Sequence, residues 1–268
     1  MSSIPDTERE KGANTMLQKT LPLLSVVVPA YNEEARIGAT LKRMLTYFDE
    51  QPYLYEILVV SDGCTDRTHE IVNQIIEQRS EVRLLTYSPN HGKGHAVRVG
   101  MLAATGERIL FSDADLATPI EEIEKLSSAL DAGCDIAIGS RDSIGSELIR
   151  RQSLLREMGG RLFNKMVQVM AVRGIHDTQC GFKLFTRRAA HDIFRRCQID
   201  HFAFDVEVLF LARKLFNCRI AEIPVRWMHM EGSKVRFFRD AIRMVKTLFR
   251  IRITNYGAVA STYELPIQ

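Results

Sequence analysis

From residue 24 to residue 140, short apolar runs alternate with amphipathic stretches, and this rhythm constrains the fold more than any other feature of the chain. LSVVVP (24–29), EILVVSD (56–62), VRLLTY (82–87), RILFSD (108–113) and DIAIGS (135–140) are rich in Val, Ile and Leu. Nearly unbroken apolar runs of this length read as strands buried on both faces, the pattern of a parallel sheet. The stretches between them, 34–48, 67–79, 93–104 and 119–131, carry helical periodicity. Pro119 suits a helix start, where its missing N–H would have no partner anyway. Strands and helices in strict alternation predict an α/β fold, a doubly wound, mostly parallel sheet with helices on both faces. Such sheets bind ligands beyond the carboxyl ends of their strands.

After residue 140 the rhythm breaks. SELIRRQSLLREMGGRLFNKMVQVMAV (146–172) and VRFFRDAIRMVKTLFRIRI (235–253) interleave Arg and Lys with large apolar side chains at helical spacing. That is the pattern of helices lying in a membrane–water interface. FKLFTR (182–187) and RIAEIPV (219–225) read as strands, and FDVEVLFLARKLF (204–216) as a helix. A formal net charge of +3 over 268 residues is too small to point to nucleic acid. The five cysteines (64, 134, 180, 197, 218) show no CxxC spacing, so free thiols in a reducing compartment are expected. Residues 1–20 are polar, without the apolar core of a secretory signal. Nowhere does the chain approach the ~18 consecutive apolar residues of a spanning helix, so no membrane crossing is expected.

The polar clusters fall at the ends of the expected strands. In FSDADLATP (111–119), Asp113 and Asp115 stand one residue apart on the turn after an apolar strand. Two carboxylates so placed can share one hard cation, Mg²⁺ or Mn²⁺, which prefers oxygen ligands and keeps sites for phosphate oxygens. VPAYNEE (28–34) and VSDGCTD (60–66) end neighbouring strands. There Asp62 can accept from the imide of a base, Glu33 can hold a ribose hydroxyl or a base edge, and Asp66 suits a helix cap. NHGKGHAVRVG (90–100) places Gly92, Lys93 and Gly94 at a helix start, a corner friendly to phosphate. Its spacing fits neither a dinucleotide fingerprint nor a P-loop.

VVVPAYNEE, VSDGCTD, NHGKGHAV and DAD, in this order, resemble family 2 of the glycosyltransferases, enzymes of the GT-A fold. Further on, DTQCGFKLFTR (177–187), FAFDVEVLF (202–210) and MEGSK (230–234) are similar to the dolichyl-phosphate β-glucosyltransferase subgroup, and the similarity covers roughly residues 22–250. The resemblance implies UDP-glucose as donor and a polyprenyl phosphate on the cytoplasmic leaflet as acceptor, and the two basic amphipathic segments add attachment to an anionic membrane surface. It places Pro29, Tyr31, Glu33 and Asp62 around the uridine with Lys93 nearby, and Asp113 and Asp115 around the metal and diphosphate. Gln179, Asp205 and Lys234 complete the sugar and diphosphate pocket. Arg141 and Arg156 match arginines that bind the acceptor phosphate in related mannose synthases. The expected organisation is a polar tail over 1–21, one GT-A domain over 22–253 and a tail over 254–268. Within the domain, 22–140 is the nucleotide-binding half, and 141–253 is the acceptor- and membrane-facing half with a C-terminal amphipathic helical elaboration.

Two chemistries are open for the acceptor. A hydroxyl needs a general base, for which Asp205 or Glu207 stands ready. A phosphate monoester is mostly dianionic at neutral pH and needs positioning instead, a task for arginine. A soluble family 2 enzyme acting on a carbohydrate or small-molecule hydroxyl is the competing expectation. A non-catalytic nucleotide-binding protein on the same fold is a third, against which the complete set of motifs weighs.

Overall fold

The computed structural model describes residues 21–141, 147–150, 174–228 and 246–258. Four parallel strands, β1 (Leu24–Ala30), β2 (Tyr55–Asp62), β3 (Val82–Tyr87) and β4 (Arg108–Ser112), are joined by α1 (Ile37–Asp49), α2 (Thr68–Ile76) and α3 (Lys93–Ala103). A 3₁₀ turn (Ile120–Glu122) then leads into α4 (Ile123–Asp131) and β5 (Ile136–Ser140). After β6 (Glu147–Arg150) come β7 (Phe182–Thr186), α5 (Arg187–Phe194), α6 (Phe204–Lys214), β8 (Ile220–Pro224) and β9 (Arg226–Met228).

Seven strands form one sheet in the order β3-β2-β1-β4-β7-β5-β8. All of β1, and all of β2 after Tyr55, is buried, which is why these runs are apolar without alternation. Successive side chains serve opposite layers. Val27 joins a core with Val97 of α3, Ile193 of α5 and Val208 of α6. Val26 and Val28 join the other, with Leu41 and Phe48 of α1 and Leu126 of α4.

The sheet is mostly parallel, as expected, and three features were not legible in the sequence. β7 enters between β4 and β5 and runs antiparallel to both, so the sheet is mixed, with one reversed strand. Residues 147–150, inside a stretch with helical spacing, form a strand that pairs with β9 in a separate two-stranded sheet. The remainder of that stretch lies outside the described residues. α1 begins at Ile37 rather than near 34, because 31–34 form a turn tied to the next loop. Asn32 adopts φ 52° and its Oδ1 accepts from Thr65 N, while Thr68 Oγ1 accepts from Glu33 N. Of the basic segment 235–253, the described part (246–253) is helical. No helix among the described residues is long and apolar enough to cross a membrane.

Candidate functional site

The loops at the carboxyl ends of β1, β2, β3 and β4 enclose a cavity of about 420 Å³. Pro29, Tyr31, Glu33, Asp62, Lys93, Asp113 and Asp115 line it together, as do Arg36, Asn90, His201 and Phe202. Parallel strands put these loops side by side, so residues from four sequence motifs meet at one edge of the sheet.

Asp62 ends β2 and is 3% exposed. Its Oδ1 accepts from Tyr87 Oη at 3.0 Å and His91 N at 2.8 Å; its Oδ2 accepts from Asn90 Nδ2 at 2.8 Å and Gly92 N at 2.9 Å. Four acceptor sites are a carboxylate's full capacity. Asp62 lines the cavity, and through these four donors its carboxylate also anchors the 90–92 loop that forms one wall. Glu33 pairs with Arg36. Asp66, one residue before the N-cap Arg67, accepts from Thr68 N in the first turn of α2 and from Glu34 N.

The glycines of the 92–94 corner also make room for another part of the chain. A Cβ on Gly92 would lie 2.6 Å from Asp200 O, and one on Gly94 would lie 2.4 Å from Ile199 O. At φ +112°, Gly92 also needs the left-handed conformation that glycine tolerates. The backbone that approaches here is therefore the chain's own 199–201 segment. Asp200 O accepts from His95 N in the first turn of α3, and the packing carries His201 and Phe202 into the cavity wall. His201 carried no signal in the sequence, because its partner lies some hundred residues earlier, and Phe202 stood out only as the first residue of FAFDVEVLF.

Asp113 and Asp115 form the acidic edge. Lys93 Nζ lies 2.6 Å from Asp113 Oδ1. Burial works against the Lys93 charge, but Asp113, Asp205 and Asp115 outweigh it and hold the ammonium pKa above its usual value. Burial, reinforced by the charge of Asp113, pushes the Asp115 carboxyl above the ordinary carboxylate range. Asp115 Oδ1 accepts from Ala117 N. Among the described residues no group of three or more His, Cys, Asp or Glu side chains converges on one point. Two carboxylates beside an open cavity nevertheless suit Mg²⁺ or Mn²⁺, which takes few protein ligands and fills its shell with water and phosphate oxygens.

Asp205 and Glu207 are not presented to the cavity as bases. Asp205 is 4% exposed and paired with Lys183, which is itself 1% exposed. Burial pushes the Asp205 carboxyl up, and the Lys183 and Lys93 charges oppose the shift. Glu207 accepts from Gln198 N, Ile199 N and Tyr256 Oη, and so pins the 198–199 segment to α6. Arg141 is anchored along one edge. Its Nε and Nη2 donate to the fully buried Asp177, and its guanidinium stands 5.5 Å from the Trp227 ring. That edge of the fork is spent on Asp177 rather than offered to a phosphate. Gln179 keeps a buried Nε2 that has no partner among the described residues. Arg156 and Lys234 lie outside the described residues.

A mostly parallel sheet carrying this carboxylate edge defines a glycosyltransferase of the GT-A class. Solved structures agree on the fold. Glucosyl-3-phosphoglycerate synthase from Mycobacterium tuberculosis, in complex with UDP, matches at TM-score 0.59 and 17% identity over 96% of this chain and 88% of its own. Mannosyl-3-phosphoglycerate synthase from Rubrobacter xylanophilus matches at TM-score 0.62 and 16% identity over 91% and 74%. The model for "Glycosyl transferase family 2" matches residues 25–194, and the chain belongs to that family. Curated relatives include the dolichyl-phosphate beta-glucosyltransferases of Dictyostelium discoideum and Homo sapiens. The first is 41% identical over 85% of this chain and 73% of its own length; the second is 40% identical over 86% and 75%.

Proposed function

We propose that this glycosyltransferase moves glucose from UDP-glucose to a polyprenyl phosphate at the cytoplasmic face of a membrane. The observation that carries the proposal is the cavity in which the Asp113–Asp115 edge, Lys93 and the Asp62-anchored loop meet. It is of a size and polarity for a nucleoside diphosphate sugar. Identity near 40% with dolichyl-phosphate beta-glucosyltransferases supports the choice of sugar and acceptor. The M. tuberculosis synthase, solved with Mn²⁺ and UDP, supports the metal.

In the proposed reaction an acceptor phosphate oxygen forms a bond to the anomeric carbon from the face opposite UDP. The bond from that carbon to the diphosphate oxygen breaks, and UDP leaves with the electron pair. Pro29, Tyr31 and the 90–92 wall flank the nucleoside, Glu33 and Arg36 face its sugar, and Lys93 lies beside the diphosphate. Asp113 and Asp115 would hold the cation, which neutralises charge on the departing diphosphate. Gln179 brings an unpartnered buried donor, a group that costs stability until a ligand oxygen meets it. The cavity carboxylates have other tasks: Glu33 pairs with Arg36, Asp62 meets four donors, and Asp113 and Asp115 are assigned to the cation. With Asp205 enclosed, this favours a phosphate acceptor, whose dianion needs no base. Arg156 is proposed as its cationic neighbour, and Lys234 is proposed for the sugar and diphosphate pocket.

Membrane attachment is proposed through helix 246–253. Leu248 and Ile251 pack into the core, while Phe249 is 58% and Ile253 82% exposed, with Lys246, Arg250 and Arg252 exposed beside them. Each basic residue near an anionic leaflet contributes ~1 kcal/mol.

The test is transfer of radiolabel from UDP-glucose to prenyl phosphate and to the unphosphorylated prenol. Label is expected only in the phosphate product, released by mild acid, with GDP-mannose used poorly. Glucose appearing on a free hydroxyl instead would replace this proposal with the soluble-acceptor alternative. For the donor, Asp62→Ala is expected to weaken UDP binding about tenfold in calorimetry without acceptor, because the 90–92 wall loses its anchor. Unchanged affinity would remove that loop from the nucleotide site.

A further inference from the structure

Lys183 is the largest polar side chain buried to near completion among the described residues, and none of the chemistry above uses it. A lysine in the interior of a strand is costly to bury unless its charge is paired and its donors are placed. Here both conditions are met. Nζ donates to a carboxylate oxygen of Asp205, at the start of α6, and to Cys180 O, just ahead of β7. It also stands 5.8 Å from the Phe111 ring centroid, and Lys93 Nζ stands 5.3 Å from the same centroid.

The next residue after Cys180 shows what this arrangement holds. Gly181 O accepts from Asp113 N at 3.0 Å. A Cβ added to Gly181 would lie 2.0 Å from Asp113 Oδ2, so the Gly181 backbone forms the rear wall of that carboxylate. A continuous path therefore runs from Lys183 through Cys180 O to Gly181 and on to the side chain at the cavity edge. Asp205 supplies the counter-charge that keeps the lysine in place.

We infer that Lys183 is a positioning residue, which fixes the Cys180–Gly181 backbone against Asp113 and so holds the cation-binding edge in register, with Asp205 as its counter-ion. This rests on the reading of Asp113 and Asp115 as the cation edge. It also gives Asp205 a role that needs no contact with substrate.

Removing Lys183 alone would strand a buried carboxylate, so the decisive variant is the pair Lys183→Met with Asp205→Asn, which leaves no lone buried charge. Mn²⁺ affinity is measured by electron paramagnetic resonance in the presence of UDP, and UDP affinity by calorimetry without metal. Outer positioning groups commonly change metal affinity or activity about 10- to 100-fold, and a loss of that size is expected for Mn²⁺. UDP affinity without metal is expected to stay within about threefold of the parent. Mn²⁺ affinity within that same margin would overturn the inference, and so would an equal loss of UDP and Mn²⁺ binding, the mark of general disorder. Asp115→Ala separates the two levels. If it keeps Mn²⁺ affinity, the cation edge itself is wrong; if it loses Mn²⁺ while the double variant does not, only the role of Lys183 falls.

Discussion

Asp115→Ala is expected to lower turnover by ~10²- to 10³-fold, the loss typical of one preorganised electrostatic group at a developing charge. Its place in the structure makes the result interpretable. Among the described residues, Asp115 supports the fold through one hydrogen bond, accepted from Ala117 N, which caps a turn. Losing such a cap costs ~1 kcal/mol, so the variant should melt within a few degrees of the parent. Asp115 is also the carboxyl that burial and Asp113 together push above its ordinary range. Two like charges one residue apart are best relieved by a cation, and Lys93 already lies against Asp113 rather than Asp115. The parent should accordingly lose activity in excess EDTA and regain it with Mg²⁺ or Mn²⁺, and the variant should bind Mn²⁺ weakly in the presence of UDP. Full turnover of the parent in EDTA would remove the cation from the site, and a folded Asp115→Ala enzyme of parental activity would remove Asp115.

The parallel half of the sheet and its ligand edge were legible because they depend on local signals. Strand runs such as LSVVVP are apolar since both faces are covered, and their carboxyl ends are marked by residues that an interior strand does not tolerate, Asp62, Asp113 and Asp115 among them. Features set by long-range packing were not legible. Nothing in FKLFTR announces that β7 runs backwards between β4 and β5, although a lone lysine inside an apolar strand was a signal that Lys183 needed a buried partner. Gly92 and Gly94 looked like a cradle for phosphate because the segment packed on them is remote in sequence. FDVE presented two candidate bases, and only the fold shows that Glu207 binds backbone N–H groups while Asp205 binds Lys183. Arg141 matched a phosphate-binding arginine by motif, but one edge of its guanidinium is paired with Asp177, a partner remote in sequence. In each case the residue type was legible and its partner was not.

Gly181→Ala is expected to cut turnover about 10²-fold while leaving the fold intact, since a displacement of ~1 Å in a reacting geometry is enough for that loss. The new methyl group would stand 2.0 Å from Asp113 Oδ2, 2.3 Å from Cγ and 2.8 Å from Oδ1, closer than any real contact allows. The clash falls on the movable end of one side chain, and φ at this position is not in the left-handed region, so alanine carries no backbone strain. Rotating the Asp113 carboxylate away resolves it cheaply. Stability should therefore change little, while the spacing between Asp113 and Asp115 is lost and the Lys93–Asp113 pair, 2.6 Å in the parent, opens. Because Gly181 lies behind Asp113 and not in the cavity lining, UDP binding without metal should be nearly unaffected, and Mn²⁺ binding in the presence of UDP should weaken. A melting curve, a Mn²⁺ titration and kcat measured on the same preparation decide the matter. If Gly181→Ala melts with the parent and keeps its kcat, the Asp113 carboxylate does not act from the position it holds against Gly181, and the geometry of the edge must be redrawn around Asp115 alone.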